Sequence, residues 1–200
     1  MLITFSGVDG SGKSTQAKFA VDWLRGHGYA PVFLHLTQWT WVYLIGEMLT
    51  GKGGGGGETA VSTPTSMPVR LLRQLVSLVD LLRFNLLWRR IQRRGGVCVC
   101  DRYFYDLGVN ALYRQSMSLR LVRFIWKHAP LPDLAFFLDV VPDVAQVREG
   151  EHSADYYVKK RTLYLQALAD WPTVALPSGS ITDTSAQIEA ALQTLIARQR

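Results

Sequence analysis

Gly7-Val8-Asp9-Gly10-Ser11-Gly12-Lys13-Ser14 lies between an apolar run, Leu2–Ser6, and a stretch in which Ala17, Ala20, Val21 and Leu24 recur at three- and four-residue spacing. The octapeptide fits G-x-x-x-x-G-K-[ST] at every position, and its setting, strand before and helix after, is the one the pattern requires. The residue types explain the chemistry. Glycines let successive backbone N–H groups turn inward as a nest for phosphate oxygens. The helix that follows adds the positive end of its dipole. Lys13 offers a mobile point charge to the β- and γ-phosphates, and the Ser14 hydroxyl suits a Mg²⁺ ligand. Gly7, Asp9, Gly10, Ser11, Gly12, Lys13, Ser14 and Thr15 are therefore the expected nucleotide-binding set.

Working outward, Pro31–Leu36 is a second apolar run and completes a strand–helix–strand unit. Val97–Cys100 is a short apolar strand closed by Asp101, a carboxylate placed to hold the hydration shell of the same Mg²⁺. Leu134–Val140 and Thr173–Leu176 read as further strands. Helical patterns cover Val69–Arg94, Leu107–His128, residues 142–170 on either side of a polar turn, and a C-terminal segment opened by the capping box Thr184-x-x-Gln187. Apolar strands alternating with amphipathic helices predict a parallel sheet covered on both faces, in one domain spanning 1–200. Gly51–Gly57 holds six glycines in seven residues; with the stretch up to 67 it reads as a long flexible loop.

Composition narrows the classes. Of 200 residues, 48% are apolar and 19% charged, enough to build a core. No apolar run reaches the length of a membrane-spanning helix, and Met1-Leu2-Ile3-Thr4-Phe5 runs into a strand rather than a secretory signal. Cys98 and Cys100, the only cysteines, are two apart and share a strand face, which excludes a disulfide framework and predicts core thiols in a reducing cytoplasm. The net charge of +6 points to an anionic partner without naming it. Arg89, Arg90, Arg93 and Arg94 read as a solvated helix end; no nucleic-acid-binding motif accompanies them, so neither nucleic acid nor a membrane is expected as partner.

Taken together, Phe5–Thr15, Cys100-Asp101-Arg102-Tyr103, Leu138-Asp139-Val140 with Arg148 following, and Tyr156-Tyr157-x-x-x-Arg161-x-x-Tyr164 resemble the thymidylate kinase family in order and separation, over most of the chain. The resemblance implies a three-layer α/β fold of the P-loop NTPase type, with a five-stranded parallel sheet flanked by helices and a short lid around 149–155. It implies transfer of the ATP γ-phosphoryl group to a nucleoside monophosphate, dTMP to dTDP by default, with ATP and Mg²⁺ required and a homodimer as a possible assembly. Carried over by position, Asp9 contacts the acceptor sugar, Arg102 bridges donor and acceptor phosphates, and Arg148 approaches ATP as the lid closes. Arg83 and Tyr103 fall in the acceptor region, and Ser14 and Asp101 hold the metal; Trp39, in a segment with little family likeness, is a candidate for the acceptor side from its residue type alone.

Two departures stand out. The family's acceptor-phosphate Arg after the second strand is missing from His35-Leu36-Thr37-Gln38-Trp39, and the lid is acidic. A kinase of the same fold acting on a nucleoside or sugar hydroxyl, with Asp9 as base, stays open, as does a nucleotide-binding regulatory protein without catalysis. Trp39, Trp41 and Tyr43 suit either an acceptor pocket or a packing role. His35 reads as a strand-end histidine and Asp139 as a structural acid.

Overall fold

The computed structural model describes residues 1–41, 43–44, 67–149, 152–168, 171, 173–177 and 179–198. The glycine-rich stretch 51–66 and the lid positions 150–151 lie outside the described residues.

Strand β1 (Leu2–Gly7) is buried along its whole length and forms the centre of the sheet. It leads through the glycine-rich turn into helix α1 (Lys13–Gly26). β2 (Val32–His35) passes directly into the short helix α2 (Leu36–Trp39). The long helix α3 (Met67–Arg93) precedes β3 (Cys98–Asp101). Helices α4 (Phe104–Tyr113) and α5 (Leu119–His128) follow, then β4 (Leu134–Asp139). Helices α6 (Pro142–Glu149) and α7 (Ala154–Leu168), strand β5 (Val174–Pro177) and helix α8 (Ile181–Ala197) complete the chain.

The five strands are parallel in the order β2-β3-β1-β4-β5. Alternation along the strands sorts the core into two layers. Ile3, Phe5, Val99 and Phe136 pack against Ala17, Val21 and Leu24 of α1 and Ile188 and Leu192 of α8. Leu2, Cys98, Cys100 and Phe137 face the other way, onto α3, α4, α5 and α7. Both cysteines are free and buried, as their shared strand face predicted. Because β1 has β3 on one side and β4 on the other, connections leave it in opposite directions, and a crevice opens at the carboxyl ends of these three strands.

Two boundaries differ from the sequence reading. The region expected as helical over Leu107–His128 is two helices, because Gln115 takes a left-handed φ of 51° and Ser118 caps a new helix by accepting the Leu121 N–H. The C-terminal helix starts at Ile181 rather than Thr184: Ser180 accepts the Asp183 N–H at 3.0 Å and donates to its carboxylate at 2.6 Å. Ser180 is therefore the N-cap that operates.

Candidate active site

The glycine-rich turn lies at the carboxyl end of β1. Gly7 and Gly10 are demanded by their surroundings as well as their φ values of 150° and 76°. A Cβ on Gly7 would lie 2.6 Å from the Leu138 carbonyl oxygen, and one on Gly10 3.0 Å from that of Ala145. The loop is thus wedged between β4 and helix α6. Lys13 is 5% exposed, and its ammonium rests on the loop itself, donating to the Val8 carbonyl at 2.5 Å and the Ser11 hydroxyl at 3.4 Å. Burial, reinforced by the nearby Arg102, lowers the Lys13 pKa to about 8 against the pull of Asp9.

Asp9 is the hub of the site. Its Oδ1 accepts from the Arg102 guanidinium and lies 3.9 Å from Lys13 Nζ. Its Oδ2 accepts from the Tyr156 hydroxyl at 2.9 Å and lies 3.5 Å from Lys160 Nζ. The structure therefore brings Lys13, Asp9 and Arg102 together and adds two residues of α7: Tyr156, which the sequence reading quoted without a role, and Lys160, which it did not single out. Arg102 adopts φ 69°, a conformation that costs a non-glycine residue about 1–3 kcal/mol and persists only where its surroundings enforce it. Two contacts do so: the Arg102 N–H donates to the Phe5 carbonyl at 3.0 Å, and the next N–H, of Tyr103, donates to Asp106 at 2.7 Å.

Asp106, fully buried, is the residue that joins the two loops. Besides Tyr103 it accepts from the Ser6 hydroxyl at 2.7 Å, the Gly7 N–H at 3.3 Å and the Tyr164 hydroxyl at 2.7 Å. Burial, then the adjoining Asp106 charge, pushes the Tyr164 pKa well up, which keeps that hydroxyl a donor. Asp106 was legible in principle: an acid three residues after Tyr103, at the start of a helix, is capping chemistry.

Asp101 closes β3 beside β1, paired in register with Phe5. It is 1% exposed, and its Oδ1 has no hydrogen-bond partner. An orphaned carboxylate oxygen at the mouth of a phosphate loop fits a hard cation, with Ser14 on the exposed first turn of α1 as its companion. No cluster of three or more His, Cys, Asp and Glu side chains occurs among the described residues, so water and phosphate oxygens would supply the remaining ligands. His35 approaches the other carboxylate oxygen, Nε2 to Oδ2 4.0 Å. Burial lowers its pKa, and because Nδ1 accepts the Gln38 N–H, the ring is assigned its proton on Nε2, facing Asp101.

On the other side of the loop lies a cavity of about 270 Å³ whose walls include Gly10, Gly12, Thr15, Arg148, Leu176 and Thr184. Arg148 reaches the Gly10 carbonyl at 3.5 Å from helix α6. Asp139, also on its wall, is held by Arg161 through two hydrogen bonds of 2.6 and 2.8 Å, a structural tie between β4 and α7.

The expected acceptor residues separate. The Arg83 guanidinium is sandwiched between the rings of Trp39 and Trp41, 4.3 and 4.2 Å from their centroids, and donates to Asp80 at 2.6 Å. Asp80 also accepts the Trp41 N–H at 3.1 Å, so the clamp is closed by its own counter-ion. Phe84 meets Trp39 edge-on and packs against Tyr103, which couples the clamp to the Asp-Arg-Tyr loop. Tyr103, expected beside the acceptor, is instead 0% exposed and donates its hydroxyl to the Pro130 carbonyl. Its ring fills core because Phe84, Phe104 and Tyr105 surround it.

No family model matches the chain. Among curated proteins it is similar to the thymidylate kinase of Herpetosiphon aurantiacus, 32% identical over 161 residues that cover 78% of this chain. That match spans 64% of the Herpetosiphon protein, a little under two thirds of its length. The probable thymidylate kinase of Methanothermobacter thermautotrophicus is 30% identical over 156 residues, 75% of this chain and 70% of that one. Among solved structures, thymidylate kinase from Candida albicans superposes with a TM-score of 0.69 over 96% of this chain and 91% of that one. At 20% identity that likeness establishes the shared fold.

Proposed function

The chain belongs to the thymidylate kinase family, and from that premise we propose that it transfers the γ-phosphoryl group of ATP to a nucleoside monophosphate, converting dTMP to dTDP. The observation that carries this reading is the convergence of Lys13 and Arg102 on Asp9 at the carboxyl edge of the sheet. Phosphoryl transfer needs little covalent assistance; it needs alignment and positive charge where the transferred group develops negative charge. Lys13 serves the donor phosphates, Arg102 the space between donor and acceptor, and Arg148 and the cavity beside Gly10 the remainder of ATP. Asp101 and Ser14 would hold Mg²⁺, which supplies charge neutralisation across the β- and γ-phosphates when bound.

A hydroxyl acceptor would need a general base. Asp9 is taken up by Arg102, Lys13, Tyr156 and Lys160, which favours an acceptor whose own phosphate is the nucleophile. The Trp39–Arg83–Trp41 clamp is the acceptor-side element of this reading: the guanidinium, stacked on two indole rings and tied through Nη1 to Asp80, would turn its other N–H groups to an anionic or carbonyl oxygen. Release of ADP from Mg·ATP in a panel of nucleoside monophosphates tests the proposal. Turnover with dTMP supports it, turnover only with a nucleoside or sugar moves the assignment to that acceptor, and ATP binding without any acceptor-stimulated turnover makes the chain a nucleotide-binding regulator.

Helix α3 bears on assembly. Leu72, Leu75, Val79, Leu82 and Leu86 follow a three–four spacing and are 41–62% exposed, while Leu81, Phe84 and Trp88 face the core. We read this stripe as the seam of a homodimer; sedimentation should give twice the chain mass, and Leu75→Lys with Leu82→Lys should give one. No helix among the described residues is long and apolar enough to cross a membrane. Two buried free thiols accord with a cytoplasmic setting.

A further inference from the structure

Gln16 lies on the first turn of α1, directly after the phosphate loop, and is 3% exposed. Both ends of its amide are engaged across the fold. Nε2 donates to the Ile181 carbonyl at 3.1 Å, and Oε1 accepts from the Ser185 hydroxyl at 3.0 Å, 165 and 169 positions away. A backbone carbonyl can only accept, so the amide has one orientation here, and the hydroxyl donor completes it. The two bonds fasten the start of α1 to the start of α8. Farther along, the helices share an apolar layer through Ala17, Val21, Ile188 and Leu192. Apolar contact is non-directional, so the directional bonds of Gln16 hold these two helix ends in register. Gln16, Ile181 and Thr184 also line the cavity of about 270 Å³ beside Gly10 and Arg148, whereas Ser185 is not among the described residues that line it. Helices α1 and α8 each supply part of the wall, so their separation fixes the width of the cavity.

We propose that Gln16 is a positioning residue for the donor: by tying α8 to α1 it sets the width of the cavity that takes the base and sugar of the nucleoside triphosphate. The inference rests on the donor side of the reading above, with the phosphates at Lys13 and the cavity as the space for the remainder of ATP. The base and sugar carry no charge for the phosphate loop to hold, so they gain affinity from contact with walls already in place. Walls that must be ordered by the ligand return less of that contact as binding energy. Gln16 acts through Ile181 and Thr184, and its loss is felt by a donor that carries a nucleoside and not by a bare chain of phosphates.

The test is titration calorimetry with magnesium, comparing ATP with inorganic tripolyphosphate, which reports the phosphate loop without a nucleoside. The proteins are wild type, Gln16→Met, Ser185→Ala and the double variant, with thermal melting alongside. Methionine keeps the length of the side chain and removes both bonds; Ser185→Ala removes one bond from a residue that does not line the cavity. The expected result is a Kd for ATP about tenfold higher in Gln16→Met and about threefold higher in Ser185→Ala, with tripolyphosphate within twofold of wild type in both. The double variant should lie within twofold of Gln16→Met, since the shared bond is lost only once. A rise for ATP below threefold in Gln16→Met, an unchanged Kd in Ser185→Ala, or an equal loss for tripolyphosphate overturns the proposal. Should Gln16→Met fail to fold, Ser185→Ala decides against its own limits; unfolding of both would make the tie purely structural and overturn the proposal as well. Acceptor turnover plays no part in the readout, so it is decided separately from the choice of acceptor. A wild type that binds neither ligand sinks the donor-site reading and this inference together, whereas one that binds both, with variants that bind as wild type does, sinks this inference alone.

Discussion

Replacing Asp106 with Asn should separate the phosphate loop from the Asp-Arg-Tyr loop while changing almost no volume. All four groups facing this carboxylate are donors: the Ser6 and Tyr164 hydroxyls and the N–H groups of Gly7 and Tyr103. An asparagine presents one oxygen and one NH₂, so whichever way the amide turns, a backbone N–H faces another donor. Hydroxyls can rotate to accept; a backbone N–H cannot. The less costly orientation points NH₂ at Gly7, whose 3.3 Å contact is the longest of the four. An orphaned buried donor costs about 1–3 kcal/mol, and the remaining bonds lose their charge assistance, so the sum is about 3 kcal/mol. For a chain of 200 residues that corresponds to a fall in Tm of about 6–12 °C. Arg102 would also lose one of the two contacts that hold its left-handed backbone, so kcat/KM should fall at temperatures where the variant is folded. Calorimetry and steady-state kinetics on the purified variant measure both. A Tm within 2 °C of wild type would refute the account of Asp106 as the link between the loops.

Lys13→Ala should lower kcat by about 10³-fold with little change in Tm, since it removes charge from the transition state and no core packing; comparable turnover in the two proteins would contradict the phosphate-loop assignment. In the free protein Lys13, with a pKa of about 8, is charged below that pH and loses its charge above it. The kcat/KM for ATP should therefore decline as pH rises through about 8, and a profile flat to pH 9.5 would show that burial does not depress this lysine. Gly10→Ala should weaken ATP binding by at least tenfold in titration calorimetry, because φ 76° and the 3.0 Å approach to Ala145 leave no room for a methyl group without moving α6.

The elements that local pattern determines were legible. The strand–turn–helix around Gly7–Ser14, the Asp-terminated strand at Cys98–Asp101 and the alternation of strands with helices lead to a parallel α/β sheet, and the structure has that architecture. Where the sequence reading missed, a local signal was outweighed or overlooked. The break at Gln115 carries no glycine or proline, and Ser180 competes with Thr184 for the same helix start. Tyr103 was placed by motif beside a ligand, yet a ring in that position finds more to bury against Phe84, Phe104 and Tyr105.

Residue order alone determined the phosphate cradle, because backbone turning, helix dipole and the lysine all lie within eight consecutive residues. It did not determine which charges face one another. Asp9 and Lys160 are 151 positions apart, and Ser6 and Asp106 are 100 apart. Their meeting depends on how α7 and α4 settle on the sheet, and that is decided by side-chain packing across the whole core. Arg83 likewise could be recognised as a cation on a helix, but its stacking on Trp39 and Trp41 exists only once α3 packs beside α2. Spacing along the chain reports the chemistry a segment carries; partners across the fold are chosen by tertiary packing, which brings distant groups within hydrogen-bond reach.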